Sequence, residues 1–251
     1  MKLFRERKLR LYCETDLKKL QEMKDLFLLS AEQTHYVIDV MRRKVGGVIF
    51  LIDGVHGEYV AEIISMHSKK VFVRVLEKVE NLKIPPDLWL LFPPLKKVRT
   101  DFIIEKATEL GVRKIKLVLT QYTNVEKVKL DKLHLKIISA IQQCGGTYLP
   151  ELIEPVKLLD LINNWPTNRQ LVYCDERMND VSIQDSLSKF GSPTAAILIG
   201  PEGGFSDKES EAIRSIDSTL PVSLGSRILR ADTASISAIA VWHSICGDWR
   251  G

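Results

Sequence analysis

Short apolar runs punctuate this chain, and their spacing changes character about a third of the way along. Leu9 to Cys13 is a short strand candidate, and Val48 to Ile52, Tyr59 to Ile64 and Val71 to Leu76 are rich in Val and Ile, with turns such as Asp53-Gly54 between them. That pattern predicts β-hairpins of a small barrel or sheet. Ser30-Ala31-Glu32-Gln33 has the spacing of a capping box and opens a short helix to about Met41. Asn81 to Asp87, with Pro85-Pro86, reads as a linker. The expected division is a first domain over 1–75 and a second over 76–251, with the linker at about 77–87.

After the linker, strand and helix patterns alternate. Leu88 to Phe92, Ile115 to Leu119, Leu171 to Tyr173, Ala195 to Ile199 and Leu220 to Leu224 are expected strands. Lys96 to Leu110, Asp131 to Cys144, Leu158 to Asn163 and Gln184 to Phe190 are expected helices, with Gly111 and Gly145-Gly146 ending the first two. The last helix, about Thr233 to Cys246, is apolar almost all round, so it is buried on most sides, part of that burial against a partner subunit. Alternating strands and helices predict an α/β domain with a mostly parallel sheet. Ligands of such sheets bind beyond the carboxyl ends of the strands.

Two stretches fall at such ends. Ala195 to Ile199 runs into Gly200-Pro201-Glu202-Gly203-Gly204-Phe205, and Ser206 with Glu209 forms a second capping box. A strand, a glycine turn and a helix start direct several backbone N–H groups at one place. A tight βα loop with a good cap would have the same local pattern. Leu220 to Leu224 runs into Gly225-Ser226-Arg227-Ile228-Leu229-Arg230-Ala231-Asp232, where two arginines, an acid and a glycine precede the apolar last helix. Charges so placed are solvated or held for a ligand.

Composition narrows the class without naming it. The 251 residues are 45% apolar and 27% charged, as in ordinary globular chains. No apolar run approaches the roughly 20 residues of a membrane span, and the charged start Met1 to Arg7 has no following apolar region, so no signal peptide is expected. Cys13, Cys144, Cys174 and Cys246 are far apart and read as reduced thiols of a cytoplasmic protein. The net charge of +4 lies wholly in residues 1–75, with 14 Lys and Arg against 10 Asp and Glu. A basic face there suits a polyanion such as nucleic acid. The dinucleotide, P-loop, nucleophile-elbow and zinc-protease motifs are absent, and the five histidines are scattered, so no metal is expected.

Gly200-Pro201-Glu202-Gly203-Gly204-Phe205-Ser206 and Leu224-Gly225-Ser226-Arg227-Ile228-Leu229-Arg230 resemble the two signature loops of the RsmE family. Those enzymes are S-adenosylmethionine-dependent uridine-N3 methyltransferases of bacterial small-subunit ribosomal RNA, within the SPOUT superfamily. His35 with Val40-Met41-Arg42, the hairpin from Phe50 to Ile63, Ile104 to Val112 and Gln142 to Gly145 are similar to further segments of that family. The chain departs from the family pattern at Thr120-Gln121-Tyr122, Gln142-Gln143, Gly145-Gly146 and Asp232.

The resemblance implies an N-terminal PUA-like RNA-binding β-barrel and a C-terminal SPOUT-type sheet with a deep trefoil knot. It also implies a homodimer packed through the last helix, acting on small-subunit RNA or the assembled subunit. S-adenosylmethionine would sit against Ile199, Gly200, Pro201, Glu202, Gly203 and Gly204 and against Leu224, Gly225, Arg227, Ile228 and Leu229. Loss of the uridine N3 proton leaves a negative charge for a cation to stabilise, for which Arg230 is the candidate. A structural salt bridge from Arg230 to Asp232 or Glu202 is the competing reading. Asp232 and Glu202 are the candidate proton acceptors. Arg10, Arg42, Arg43 and Lys44 are expected on the RNA backbone. A different RNA target, an inactive RNA-binding or assembly protein, and a nucleotide hydrolase are the alternatives.

Overall fold

Five strands of the N-terminal part pair in the order β1-β3-β4-β5-β2. They are β1 (Arg10–Tyr12), β2 (Leu26–Leu28), β3 (Val48–Ile52), β4 (Glu58–His67) and β5 (Lys70–Glu80) in a computed structural model that describes residues 8–124, 128–175 and 181–250. β1 runs parallel to β3, while β3, β4 and β5 form an antiparallel meander with three register shifts in the β4–β5 pair. Alternation sends Tyr59, Ala61 and Ile63 of β4 and Val71, Val73 and Val75 of β5 into one core with Leu11, Ile49 and Leu51.

The polar end of β5 hid its length. Glu77, Lys78 and Val79 are exposed, so the apolar signal stopped at Leu76 while the strand ran on to Glu80, into the segment expected to be linker. Helix α1 (Leu17–Met23) buries only Leu17 and gave no periodic signal. The expected capping box at Ser30 forms with Gln33 and starts α2 (Ala31–His35). The remainder of the expected helix is one π-helical turn, Tyr36–Val40.

The second set of elements is a six-stranded sheet, all parallel, in the order β11-β9-β10-β6-β7-β8. Its strands are β6 (Asp87–Phe92), β7 (Lys114–Leu119), β8 (Glu151–Lys157), β9 (Gln170–Cys174), β10 (Thr194–Leu198) and β11 (Thr219–Val222). The helices are α3 (Lys97–Glu109), α4 (Leu130–Cys144), α5 (Leu158–Asn163), α6 (Ile183–Phe190), α7 (Asp207–Arg214) and α8 (Ala231–Ile245). Central strands β9 and β10 are buried in continuous runs, and β6 from Leu90 to Phe92, as expected when helices cover both faces. α3 and α6 pack on α8, and α5 packs on α7. β8, missed in the sequence, is an edge strand carrying Pro155 and four half-exposed positions. Proline is tolerated on an edge because no ladder N–H is needed there.

By contacts, the chain divides into Met1–Ile84 with Ile141–Leu149, and Pro85–Ala140 with Pro150–Gly251. The short segment Ile141–Leu149 thus joins the N-terminal unit, where Gln142 Oε1 accepts from Tyr12 N at 2.8 Å.

Candidate active site

Both special loops leave the carboxyl edge of the parallel sheet. Ile199 N donates to Leu91 O and prolongs the β10–β6 ladder by one bond. The chain then turns, with Gly204 N donating to Pro201 O. Gly200 is required by space: a Cβ there would stand 2.9 Å from the Phe205 ring. That ring is buried edge-on to Tyr173, with centroids 5.5 Å apart.

The loop is fixed by a buried acid. Ser206 caps α7, and Glu209, 4% exposed, reaches back with one carboxylate oxygen to Ser206 N and Oγ. Its other oxygen accepts from Gln121 N at 2.8 Å. The capping box legible in the sequence thus also ties the loop to the residues after β7.

The second loop starts where β11 ends. Ser223 Oγ accepts from Gly225 N at 3.2 Å, and Gly225 has φ +109, a conformation that side chains with a Cβ rarely adopt. Arg230 then takes extended angles at the N-cap of α8 without a side-chain capping bond. The first backbone N–H groups of that helix, its positive dipole end, therefore lie beside an arginine.

The two loops enclose a cavity of about 250 Å³. Ile199, Gly200, Pro201, Glu202, Leu224, Gly225, Arg227, Ile228, Leu229 and Arg230 line it, all of them residues singled out in the sequence. Ala231 and Ala234, which close the second special stretch, line it too, as do Cys174 and Asp175, which carried no local sequence signal. Gly203, Gly204 and Asp232, expected at the site, are not in the wall. Gly203 packs toward Tyr122, where a Cβ would meet the Tyr122 Cβ at 3.3 Å. Gly204, with φ +68, shapes the turn, and the Asp232 carboxylate turns back to accept from Thr233 N at 2.9 Å.

The charges sort differently from the simplest expectation. Glu202 pairs with Arg99 of α3 at 2.6 Å. Among the described residues, no ion pair joins Arg230 to Asp232 or Glu202, so the structural salt bridge weighed for Arg230 does not form. Asp175 is fully buried on its side chain and pairs with Arg214 at 2.6 Å. Burial pushes the Cys174 thiol up to about 12, which keeps it protonated and unfit as a nucleophile.

In the N-terminal unit, Arg42, with φ +49, and Lys44 are exposed, and Arg43 is half-buried. Arg10 differs: its Nε donates to the buried Glu58 at 2.6 Å, and its guanidinium lies against Gly145. Lys2, Arg5 and Arg7 lie outside the described residues. Asp16, Asp53 and His56 come together within 4.8 Å. There the Asp53 oxygens accept from Leu17 N, Val55 N, His56 N and His56 Nδ1, which locks the turn after β3. Burial pushes this carboxyl up, but the bonds from His56, Val55 and Leu17 outweigh it and hold it below the usual range.

Comparison with known proteins places this geometry. An RNA methyltransferase domain family matches residues 82–243, and an RNA methyltransferase PUA domain family matches residues 29–76. Ribosomal RNA small subunit methyltransferase E of Rickettsia conorii is 31% identical over 88% of this chain and 91% of its own length. The protein of the same name from Buchnera aphidicola is 28% identical over 96% of this chain and 95% of its own. A Legionella pneumophila methyltransferase solved in complex with the bound cofactor SAM superposes with a TM-score of 0.82, at 31% identity, over 97% of this chain and all of the other.

Proposed function

This chain belongs to the RNA methyltransferase family with an N-terminal PUA domain, whose relatives are named ribosomal RNA small subunit methyltransferase E, and we propose that it methylates N3 of a uridine in small-subunit ribosomal RNA using S-adenosylmethionine. The observation that carries the reading is the cavity shared by the glycine loops after β10 and β11, with Arg230 in its wall.

The wall fits an adenosylated ligand. Ile199, Leu224, Leu229 and Ala234 supply apolar surface for a base, and the backbone of both loops supplies donors and acceptors. A Cβ on Gly225 would meet nothing within 4 Å, so the space beside it is open to a ligand. S-adenosylmethionine, bound there, would supply an electrophilic methyl group. Arg230 and the first turn of α8 favour negative charge on the uracil ring as its N3 proton leaves. Glu202 stands in the wall and is the better placed proton acceptor, with Arg99 holding its carboxylate. Asp232, outside the wall with its Oδ1 accepting from Thr233 N, is the second candidate for this role.

Arg10, Arg42, Arg43 and Lys44 are the proposed RNA-backbone contacts of the N-terminal unit, Arg10 being also bonded through its Nε to Glu58. A homodimer through α8, a trefoil knot around the cofactor loops and a cytoplasmic location belong to the same reading. Among the described residues no helix is long and apolar enough to cross a membrane.

The test is to supply methyl-labelled S-adenosylmethionine with small-subunit RNA, both naked and in assembled subunits, and to digest the product to nucleosides. Label in 3-methyluridine is the expected result. Label on a ribose oxygen or another base would refute the target, and no label in either substrate would favour the inactive RNA-binding alternative.

A further inference from the structure

A second cavity, of about 360 Å³, opens where β6 leads into α3. Lys96, Lys97, Lys129 and Lys132 stand in its wall, and Asp101 is the only acid among the described residues there. Asp101 already faces Lys136 at 4.0 Å. None of the four lysines makes a side-chain hydrogen bond or ion pair among the described residues, and all four are exposed. Lys96 is the N-cap of the 13-residue α3 and has no side-chain capping bond. The positive end of that helix therefore adds to the field of the lysines. A fixed concentration of unpaired positive charge around a concave surface attracts a polyanion.

The position of this cleft indicates which polyanion. β6 and β10 are hydrogen-bonded neighbours, in register from Asp87–Thr194 to Leu91–Leu198. The cleft follows the carboxyl end of β6, and the cofactor loop follows the carboxyl end of β10. Paired strands lie about 4.8 Å apart, so the two openings share one edge of the sheet. The two loops are also joined directly, through Arg99 of α3 and Glu202 of the cavity wall, at 2.6 Å.

We propose that the cleft bearing Lys96, Lys97, Lys129 and Lys132 holds the phosphodiester backbone of the RNA beside the target uridine, so that the methyltransferase unit grips its own substrate independently of the basic residues of the N-terminal unit. This rests on the methyltransferase reading above. The occupant is a nucleic-acid backbone because lysines on flexible stems contact phosphates without reading sequence.

The test uses the full chain with Lys97→Glu, Lys132→Glu, the double substitution, and Lys189→Glu on α6 as a charge-matched control. Binding of a small-subunit RNA fragment is followed by fluorescence anisotropy across a salt series, beside S-adenosylmethionine calorimetry and melting curves. The double variant is expected to lose at least about tenfold in RNA affinity near physiological salt and to show a salt slope shallower by about one to two. Cofactor affinity, melting temperature and the control's RNA affinity should be unchanged. RNA affinity and slope equal to the parent's, or an equal loss in Lys189→Glu, would overturn the proposal. Failure of the parent to bind cofactor would instead count against the methyltransferase reading, since the anisotropy series reads the cleft without it. Selective loss of binding to an acidic polypeptide, with RNA binding intact, would likewise overturn the proposal in favour of a protein partner.

Discussion

Arg230 combines two kinds of positive charge at one point, its own guanidinium and the uncapped start of α8. Because no carboxylate pairs with it among the described residues, its charge is available to an anion in the cavity. Arg230→Ala is therefore expected to lower turnover by about two to three orders of magnitude, the usual loss when one preorganised stabiliser of developing charge is removed. Calorimetry should show S-adenosylmethionine affinity close to the parent's. Near-normal turnover would remove Arg230 from the chemistry. Most of the cavity wall was legible because glycines directly after apolar strands mark a turn over a strand end. Cys174 and Asp175 were not, since nothing around the end of β9 distinguishes it from any buried strand. The Arg99–Glu202 pair was equally hidden, because its partners lie 103 residues apart.

Helix α8 shows what periodicity can and cannot reveal. Its nearly continuous apolar composition predicted burial on most sides, and Ala238, Ile239 and Trp242 are indeed fully buried. Ile236, Ala240, Val241 and Ile245 remain half-exposed, spread over the open half of the helix among Thr233, Ser237 and Ser244. Apolar surface left open on a helix in this way fits an isologous contact with a second copy. Sedimentation at micromolar concentration should accordingly give a dimer, and Val241→Glu should give a monomer with unchanged helical circular dichroism. A parent chain that sediments as a monomer throughout the concentration range would end the dimer reading. The strongly patterned elements β3, β6, β10, α3 and α4 were all visible in the sequence. β8 and the end of β5 were not, because edge and solvent-facing strands carry charged residues whose ladder bonds leave no trace in hydropathy.

For the whole molecule, net charge proved a partial guide to electropositive surface. The excess in residues 1–75 directed attention to the N-terminal unit, yet Lys8 and Arg10 there are engaged by Glu58. The balanced remainder contains a cleft with four lysines unpaired among the described residues, which come from the starts of α3 and α4 and cancel in any sum along the chain. Local pattern likewise predicted the parallel sheet but not its strand order, which depends on pairings between distant segments. We propose that the loops after β10 and β11 jointly form one cofactor site, which titration of S-adenosylmethionine into the protein and into Gly225→Val tests, with melting curves to verify folding. Saturable binding at one site per chain, weakened at least about tenfold in the folded variant, is the predicted result, since a side chain at φ +109 both strains the loop and enters the space left for the ligand. Undiminished binding by Gly225→Val, or no binding by the parent with or without RNA, would contradict it.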